Sequence, residues 1–327
     1  MVVLKHVSFL VAAALVAGGC GTLAPEGGGA ENLPSSGAGP YGRLPAGSEQ
    51  ILADDSADLA DPQVFADGEQ ITIWHTRTAE QKPSEIRRAR LADIDDRQPV
   101  IDTMLAATEA WETGGVGQPA VLRPADGGPW LLAYAAGGAL GYAISDDGEA
   151  WRKAPGPALR GDGGEEGAQL ASPALVRLDD GTVRLYYVGA GGVFAADAHP
   201  AVLAALAAAP FVRAPGPSPA AAVRALFAAH ATRWLETLGR VSARYVETPA
   251  GRARYDLYLS GAQLGIGTVG LASSWDGTNF ALAAAPLLDA RAPAEQAATV
   301  TAWRGGSLLL FVEHPSRYSR VGGARSP

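Results

Sequence analysis

A turn unit occurs in full at two places along the chain and in reduced form at a third. It reads Gly141-Tyr-Ala-Ile-Ser145-Asp-Asp147-Gly148-Glu-Ala-Trp151, followed by Pro155-Gly156-Pro157, and again Gly270-Leu-Ala-Ser-Ser274-Trp-Asp276-Gly277-Thr-Asn-Phe280, followed by Pro286. The third copy keeps the ends only, Gly192-Val-Phe and then Phe211 with Pro215-Gly216-Pro217. The shared centre is Ser-x-Asp-Gly-x-x-aromatic. Asp-Gly supplies the backbone angles of a tight hairpin turn, and Ser and Asp side chains can bond nearby backbone N–H groups. The aromatic residue is expected to lie against a neighbouring sheet, so the motif is structural before it is anything else.

A second unit precedes each turn: a short strand, a polar turn and an apolar strand. Its copies open at Asp61-Pro62, Gln118-Pro119 and Ser172-Pro173, with looser copies near Arg240-Val241 and Thr299-Val300. The second strands are predicted over Ile71–Thr76, Trp130–Ala135, Val183–Val188, Tyr255–Ser260 and Ser307–Glu313. Five copies at about 54 residues each suit four strands and their loops. Such a sheet has no way to bury both faces alone, and stacking in a ring does so. The expectation is therefore an all-β, five-bladed β-propeller. The fifth copy runs short, and residues around Ile51-Leu52 are expected to lend its closing strand. The 41 Gly and 23 Pro of the chain fit this turn-rich class.

One stretch breaks the β pattern. Val223, Leu226, Phe227, His230, Trp234, Leu235 and Leu238 fall on one face at helical spacing, with Ser218-Pro219 as a start and Gly239 as a stop. A helical insertion over 219–238 is predicted between blades 3 and 4, and the Ala201–Ala209 run is a second, shorter helix candidate.

The N-terminus has its own logic. Lys5 and His6 precede an apolar run from Val7 to Ala17, and then comes Gly18-Gly19-Cys20. The run is too short to span a bilayer and has the form of a secretory signal. Cys20, the single cysteine, follows small residues in a pattern that resembles the bacterial lipobox, with Ala17 where Leu is usual. That resemblance implies a signal peptide over 1–19, lipidation of Cys20, and membrane attachment through the lipid. Residues 20–50 are rich in Gly, Pro, Ser and Ala and read as a flexible tether, leaving 51–327 for the propeller. Gly21 lacks the aspartate that retains such proteins at the inner membrane of enteric bacteria, so the cell envelope is expected, at the outer membrane if the cell has one. With a formal charge of −8 and no basic stripe, nucleic acid is not an expected partner. No metal-ligand spacing or cofactor motif stands out among His75, His199, His314 and the glycine-rich segments.

Asp-Pro-x-Val opening the first blade, together with Gly-x-Ala-x-Ser-x-Asp-Gly-x-x-Trp and the Pro-x-Leu after it, resembles the five-bladed propeller glycosidases of glycoside hydrolase family 43 and its relatives. The resemblance implies a carboxylate on each of three successive inner strands: a base, a tuning aspartate and a glutamic general acid. Inverting hydrolysis needs a base and an acid roughly 6.5–9.5 Å apart on the two sides of the sugar. Asp61 matches the base position, Gln118 stands at the second and Ser172 at the third. A serine cannot serve as a general acid of raised pKa. Glu165 and Glu166, in the loop ahead of the third inner strand, are candidates to restore the acid, and Arg240 joins Gln118 and Ser172 as a candidate pocket residue. Three readings stay open: a carbohydrate-binding or degenerate glycosidase, an active glycoside hydrolase using Asp61 with Glu165 or Glu166, and a protein-interaction scaffold in the envelope.

Overall fold

The structure is a computed structural model and describes residues 41–45, 50–125, 127–190, 192–214, 237–248, 251–263, 266–283, 285–288, 296–314 and 318–326. The expected signal segment, Cys20 and most of the expected tether lie outside these residues. So does residue range 219–236 of the expected helix, while Thr237 and Leu238 open a strand instead. Two short strands come first, β1 (Gly42–Arg43) and β2 (Gln50–Leu52). Four sheets of four antiparallel strands follow. Blade 1 comprises β3 (Ala57–Asp67), β4 (Gln70–Ala79), β5 (Glu85–Leu91) and β6 (Val100–Leu105). Blade 2 comprises β7 (Gly117–Leu122), β8 (Trp130–Ala136), β9 (Ala139–Ser145) and β10 (Arg152–Lys153). In blade 3, β11 (Ala171–Arg177), β12 (Val183–Gly189) and β13 (Gly192–Ala198) are followed by the helix α1 (Pro200–Ala204) and then β14 (Val212–Arg213). Blade 4 comprises β15 (Thr237–Glu247), β16 (Ala253–Gln263), β17 (Ile266–Ser274) and β18 (Ala281–Leu282).

The fifth sheet holds β19 (Gln296–Trp303), β20 (Gly306–Glu313) and β21 (Arg320–Ser326), and its outer position is filled from the start of the chain. Gly42 pairs with Arg325 and Leu52 with Val321, so β1 and β2 run in tandem along β21. The closing strand expected near Ile51-Leu52 is present, and it begins earlier: Tyr41 and Leu44 are buried, ten residues or so inside what reads as tether.

Successive side chains of a strand point to opposite faces, and here both faces are covered. Leu132 and Tyr134 of β8 join Trp74 and Ile86 of blade 1, whereas Leu131 and Ala133 join Leu185 and Tyr187 of blade 3. Tyr186 and Val188 face Tyr255 and Leu257 of blade 4. Tyr258 and Leu271 pack on Leu309 and Phe311 of blade 5, and Leu308 and Leu310 pack on Ile71 and Ile73 of blade 1. Five apolar layers thus separate five sheets and close the ring, which explains why the middle strands read as continuous apolar runs.

The turn motif locks these layers. Ser145 Oγ and the Asp147 carboxylate bind backbone N–H groups of Gly148, Glu149 and Ala150; in the second copy the Asp276 carboxylate accepts from the N–H groups of Thr278 and Asn279, and Ser274 Oγ accepts from that of Asp276. The aromatic residue then reaches the preceding blade. Trp151 meets Trp74 edge-on at 5.5 Å, Phe280 meets Tyr186 at 5.8 Å, and Phe211 of the reduced copy meets Tyr142 at 6.4 Å. An arginine from the preceding blade caps each full turn, Arg88 on the Gly148 carbonyl and Arg184 on that of Gly277, both at 3.1 Å.

Candidate functional site at the ring axis

Each innermost strand carries an irregularity near its start. Pairing slips between Ala60 and Gln63, Gly117 and Ala120, Ala171 and Ala174, and Gln296 and Thr299. Within each slip one residue is left-handed: Asp61 (φ 50°), Gln118 (φ 56°), Ser172 (φ 50°) and Ala297 (φ 54°). A bulge re-aims the side chain it contains, and the proline after the first three supplies no N–H that the ladder would miss. Non-glycine residues at positive φ are uncommon, and repeated placement of one at the axis is the kind of strain that gathers at functional centres. Blade 4 slips between Leu238 and Arg240, with Gly239 at the irregular position. The four left-handed residues line one small cavity together with Arg240, Val241 and Ser242.

The side chains form a circuit around the axis. Arg240 Nε donates to Asp61 Oδ1 at 2.6 Å, and Thr76 Oγ1 donates to Asp61 Oδ2 at 2.9 Å. Gln118 N–H donates to Thr76 Oγ1 at 2.7 Å, and Ser172 N–H to Gln118 Oε1 at 2.6 Å. Val241 N–H donates to Ser172 Oγ at 2.8 Å, while that hydroxyl donates to the Val241 carbonyl at 3.1 Å. Val241 adjoins Arg240, so the circuit returns to its origin. Blade 5 is tied in by Ala298 N–H on Ser260 Oγ at 3.0 Å. In most of these links a polar group of one blade satisfies a backbone N–H of the next, which the interior requires.

Chemically this centre is a framework. Asp61 is the one carboxylate among the lining residues, and both its oxygens are engaged. Gln118 and Ser172 spend their side chains on neighbouring backbones. The cavity is about 40 Å³, room for a few waters at most, whereas small-molecule sites occupy roughly 300–1,000 Å³.

Glu165 and Glu166 are not among the lining residues; Glu165 is exposed and Glu166 is buried elsewhere. Glu166 Oε1 accepts a bond from Arg213 Nε on the outermost strand of blade 3. Burial and the adjacent Glu166 carboxylate push the Tyr187 phenol up. Blade 2 holds the same device. Glu112 takes Lys153 Nζ at 2.7 Å from its outermost strand and the Tyr134 hydroxyl at 2.8 Å from its second strand. Burial would raise the Glu112 carboxyl, but Lys153 and the N–H groups of Glu109 and Thr108 hold it below the usual range. Glu112 and Glu166 each lie six residues ahead of their blade's left-handed residue. The expectation that Glu166 completes an acid/base pair with Asp61 is therefore met by a carboxylate committed to blade packing. Trp74, Tyr134 and Trp303 are buried between blades.

No protein-family model matches the sequence, and no curated protein matches it. Solved structures do. A BT0996 RGII complex superposes with a TM-score of 0.63 at 14% identity, covering 88% of this chain and 92% of its counterpart. The α-L-arabinofuranosidase PaAbf62A of Podospora anserina, solved with cellotriose, gives 0.61 at 13% identity, covering 88% and 97%. A thermostable family-43 glycoside hydrolase gives 0.59 at 12% identity, covering 85% and 92%. At these identities the likeness is one of fold, and this chain's structural neighbours are glycoside hydrolase-like five-bladed propellers.

Proposed function

We propose that this protein is a carbohydrate-binding lipoprotein of the cell envelope, built on a glycosidase-type propeller whose axial centre no longer hydrolyses. The observation that carries the reading is the state of that centre. Asp61 is held between Arg240 and Thr76, and Gln118 and Ser172 stand where a second and third carboxyl group would be required. Glycoside hydrolysis needs two carboxyl groups across one pocket, and Glu166 is drawn away to Arg213. The fold shared with glycoside hydrolases supports a carbohydrate ligand. The lipobox-like run ending at Cys20 supports attachment to a membrane by lipid, and Gly21 supports the outer membrane in a cell that has one.

The test has two arms. Detergent-solubilised full-length protein is applied to a glycan array and, separately, incubated with aryl arabinosides and xylosides. Glycan binding without aryl release supports the reading; aryl release that vanishes in Asp61→Ala overturns it in favour of an enzyme. Binding to no glycan also overturns it. For the anchor, metabolic labelling with a fatty-acid probe is expected to mark the native chain and not Cys20→Ser, and fractionation should place it with outer-membrane markers.

A further inference from the structure

The axial channel has a second chamber at the opposite end of the inner strands. The two chambers meet at a waist where Gln63, Leu175, Ala243 and Thr299 line both. The waist is pinned: Gln63 Nε2 donates to the Val121 carbonyl at 2.7 Å, and Val121 N–H donates back to Gln63 Oε1. Beyond it the channel widens to about 550 Å³, against about 40 Å³ on the Asp61 side. That volume lies within the range of small-molecule sites and is of the order needed for two or three sugar rings.

Its charge runs against that of the chain as a whole. The chain carries a formal charge of −8, yet the chamber wall holds Arg123, Arg177 and Arg244 against a single acid, Asp179. Asp67, outside the lining, already fills the two-bond fork of Arg123 at 2.9 and 2.5 Å, so Arg177 and Arg244 are the cations the wall sets against Asp179. The Arg123 Nε is nonetheless buried without an acceptor. Two aromatic rings complete the wall. Phe65 lies under the Arg123 guanidinium at 4.6 Å, and Tyr245 is 43% exposed, its ring held edge-on by Tyr255 at 5.8 Å. Tyr255 in turn donates to Asp179 at 3.3 Å, fixing the one acid of the wall.

We infer that this chamber is the ligand site, and that its ligand is an acidic oligosaccharide whose sugar rings carry carboxylates. Guanidinium groups match carboxylates in a two-bond fork, and a preset aromatic face accepts the C–H face of a sugar ring with little entropy to lose. This inference rests on the carbohydrate-binding reading above and deepens it by naming the site and the charge of the ligand.

Calorimetric titration of the solubilised full-length protein with trigalacturonate, xylotriose and inorganic phosphate tests it. Trigalacturonate is expected to bind, at least tenfold more tightly than xylotriose, and to weaken as salt rises. Arg177→Ala and Tyr245→Ala should each weaken it tenfold or more, Tyr245→Phe less than threefold, and Asp61→Asn less than twofold. The Tyr245 pair guards against misfolding, because both variants sit at an exposed rim. Xylotriose binding more tightly, with loss in Asp61→Asn, overturns the chamber while leaving carbohydrate binding intact. Phosphate binding as tightly as trigalacturonate, indifferent to Tyr245, overturns the saccharide in favour of a general anion site. Binding of none of the three overturns the chamber; the array result then decides separately whether carbohydrate binding survives.

Discussion

Arg240 and Asp61 meet at 2.6 Å across the ring axis, although they belong to the fourth and first blades, which are not neighbours. Blade 5 stands between them and presents Ala297 and Ala298, small enough to let the guanidinium pass. The Asp61 side chain is 10% exposed and that of Arg240 31% exposed. Removing the arginine leaves a largely buried carboxylate with Thr76 as its remaining partner in the circuit. Arg240→Ala should cost about 2–3 kcal/mol in urea unfolding. The Asp61→Asn, Arg240→Ala double variant should recover part of that loss, with a coupling of about 1–3 kcal/mol. Strict additivity would show that the pair does not bear on stability.

Glu112 and Glu166 are each a buried carboxylate bound to a cation on the outermost strand of its blade, but the two cations differ in exposure. Glu112→Gln should destabilise by about 3–5 kcal/mol, the cost of leaving the largely buried Lys153 without its partner, and Glu166→Gln by about 1–3 kcal/mol, because Arg213 is 42% exposed and water can solvate it. Neither should alter the response to aryl glycosides. A loss of hydrolysis in Glu166→Gln alone, with stability unchanged, would restore the glutamate to a catalytic part.

Much of this architecture was legible because its causes are local. Ser-x-Asp-Gly-x-x-aromatic encodes a turn, the turn fixes where the aromatic lands, and stacking sheets bury what alternation leaves uncovered. The X-Pro pairs at Asp61, Gln118 and Ser172 marked three of the four left-handed axial positions; Ala297 escaped because Ala298 follows it instead of a proline. Glu166 misled because its partner lies 47 residues further on, in a two-residue strand with no pattern of its own. A signal was nonetheless there, in the matching position of Glu112. The wide chamber could not be read at all, since its wall draws residues from five distant strands, each ordinary in its own segment.

The aromatic anchors carry the interblade contacts, so truncating them should weaken the ring more than disturbing the turns. Phe280→Ala removes a buried ring from the layer between blades 3 and 4, and a loss of about 3–5 kcal/mol is expected. Asp276→Ala removes a side chain that accepts from two backbone N–H groups and from Ser274. By analogy with a lost helix cap its cost should be about 0.5–2 kcal/mol. Equal losses in thermal or urea unfolding would mean that the turn itself, not the packing it directs, is what holds the blades.

His75 supplies a pH signature. It lies on β4, 1% exposed, with Nδ1 lacking any partner, and burial brings its pKa down to about 4 from 6.5. The unfolded chain therefore binds a proton that the folded chain refuses between these values. Stability should be full above about pH 6.5 and fall as pH drops through 6.5 towards 4, by about 3 kcal/mol in all. Asp54 acts lower: despite some burial, Ser56 and Arg77 hold its carboxyl at about 2 instead of 3.8, so its contribution disappears only between those values. Urea unfolding from pH 7.5 to 4.5 should thus show a slope that His75→Gln flattens. A slope unchanged by that substitution would assign the acid sensitivity to some other group.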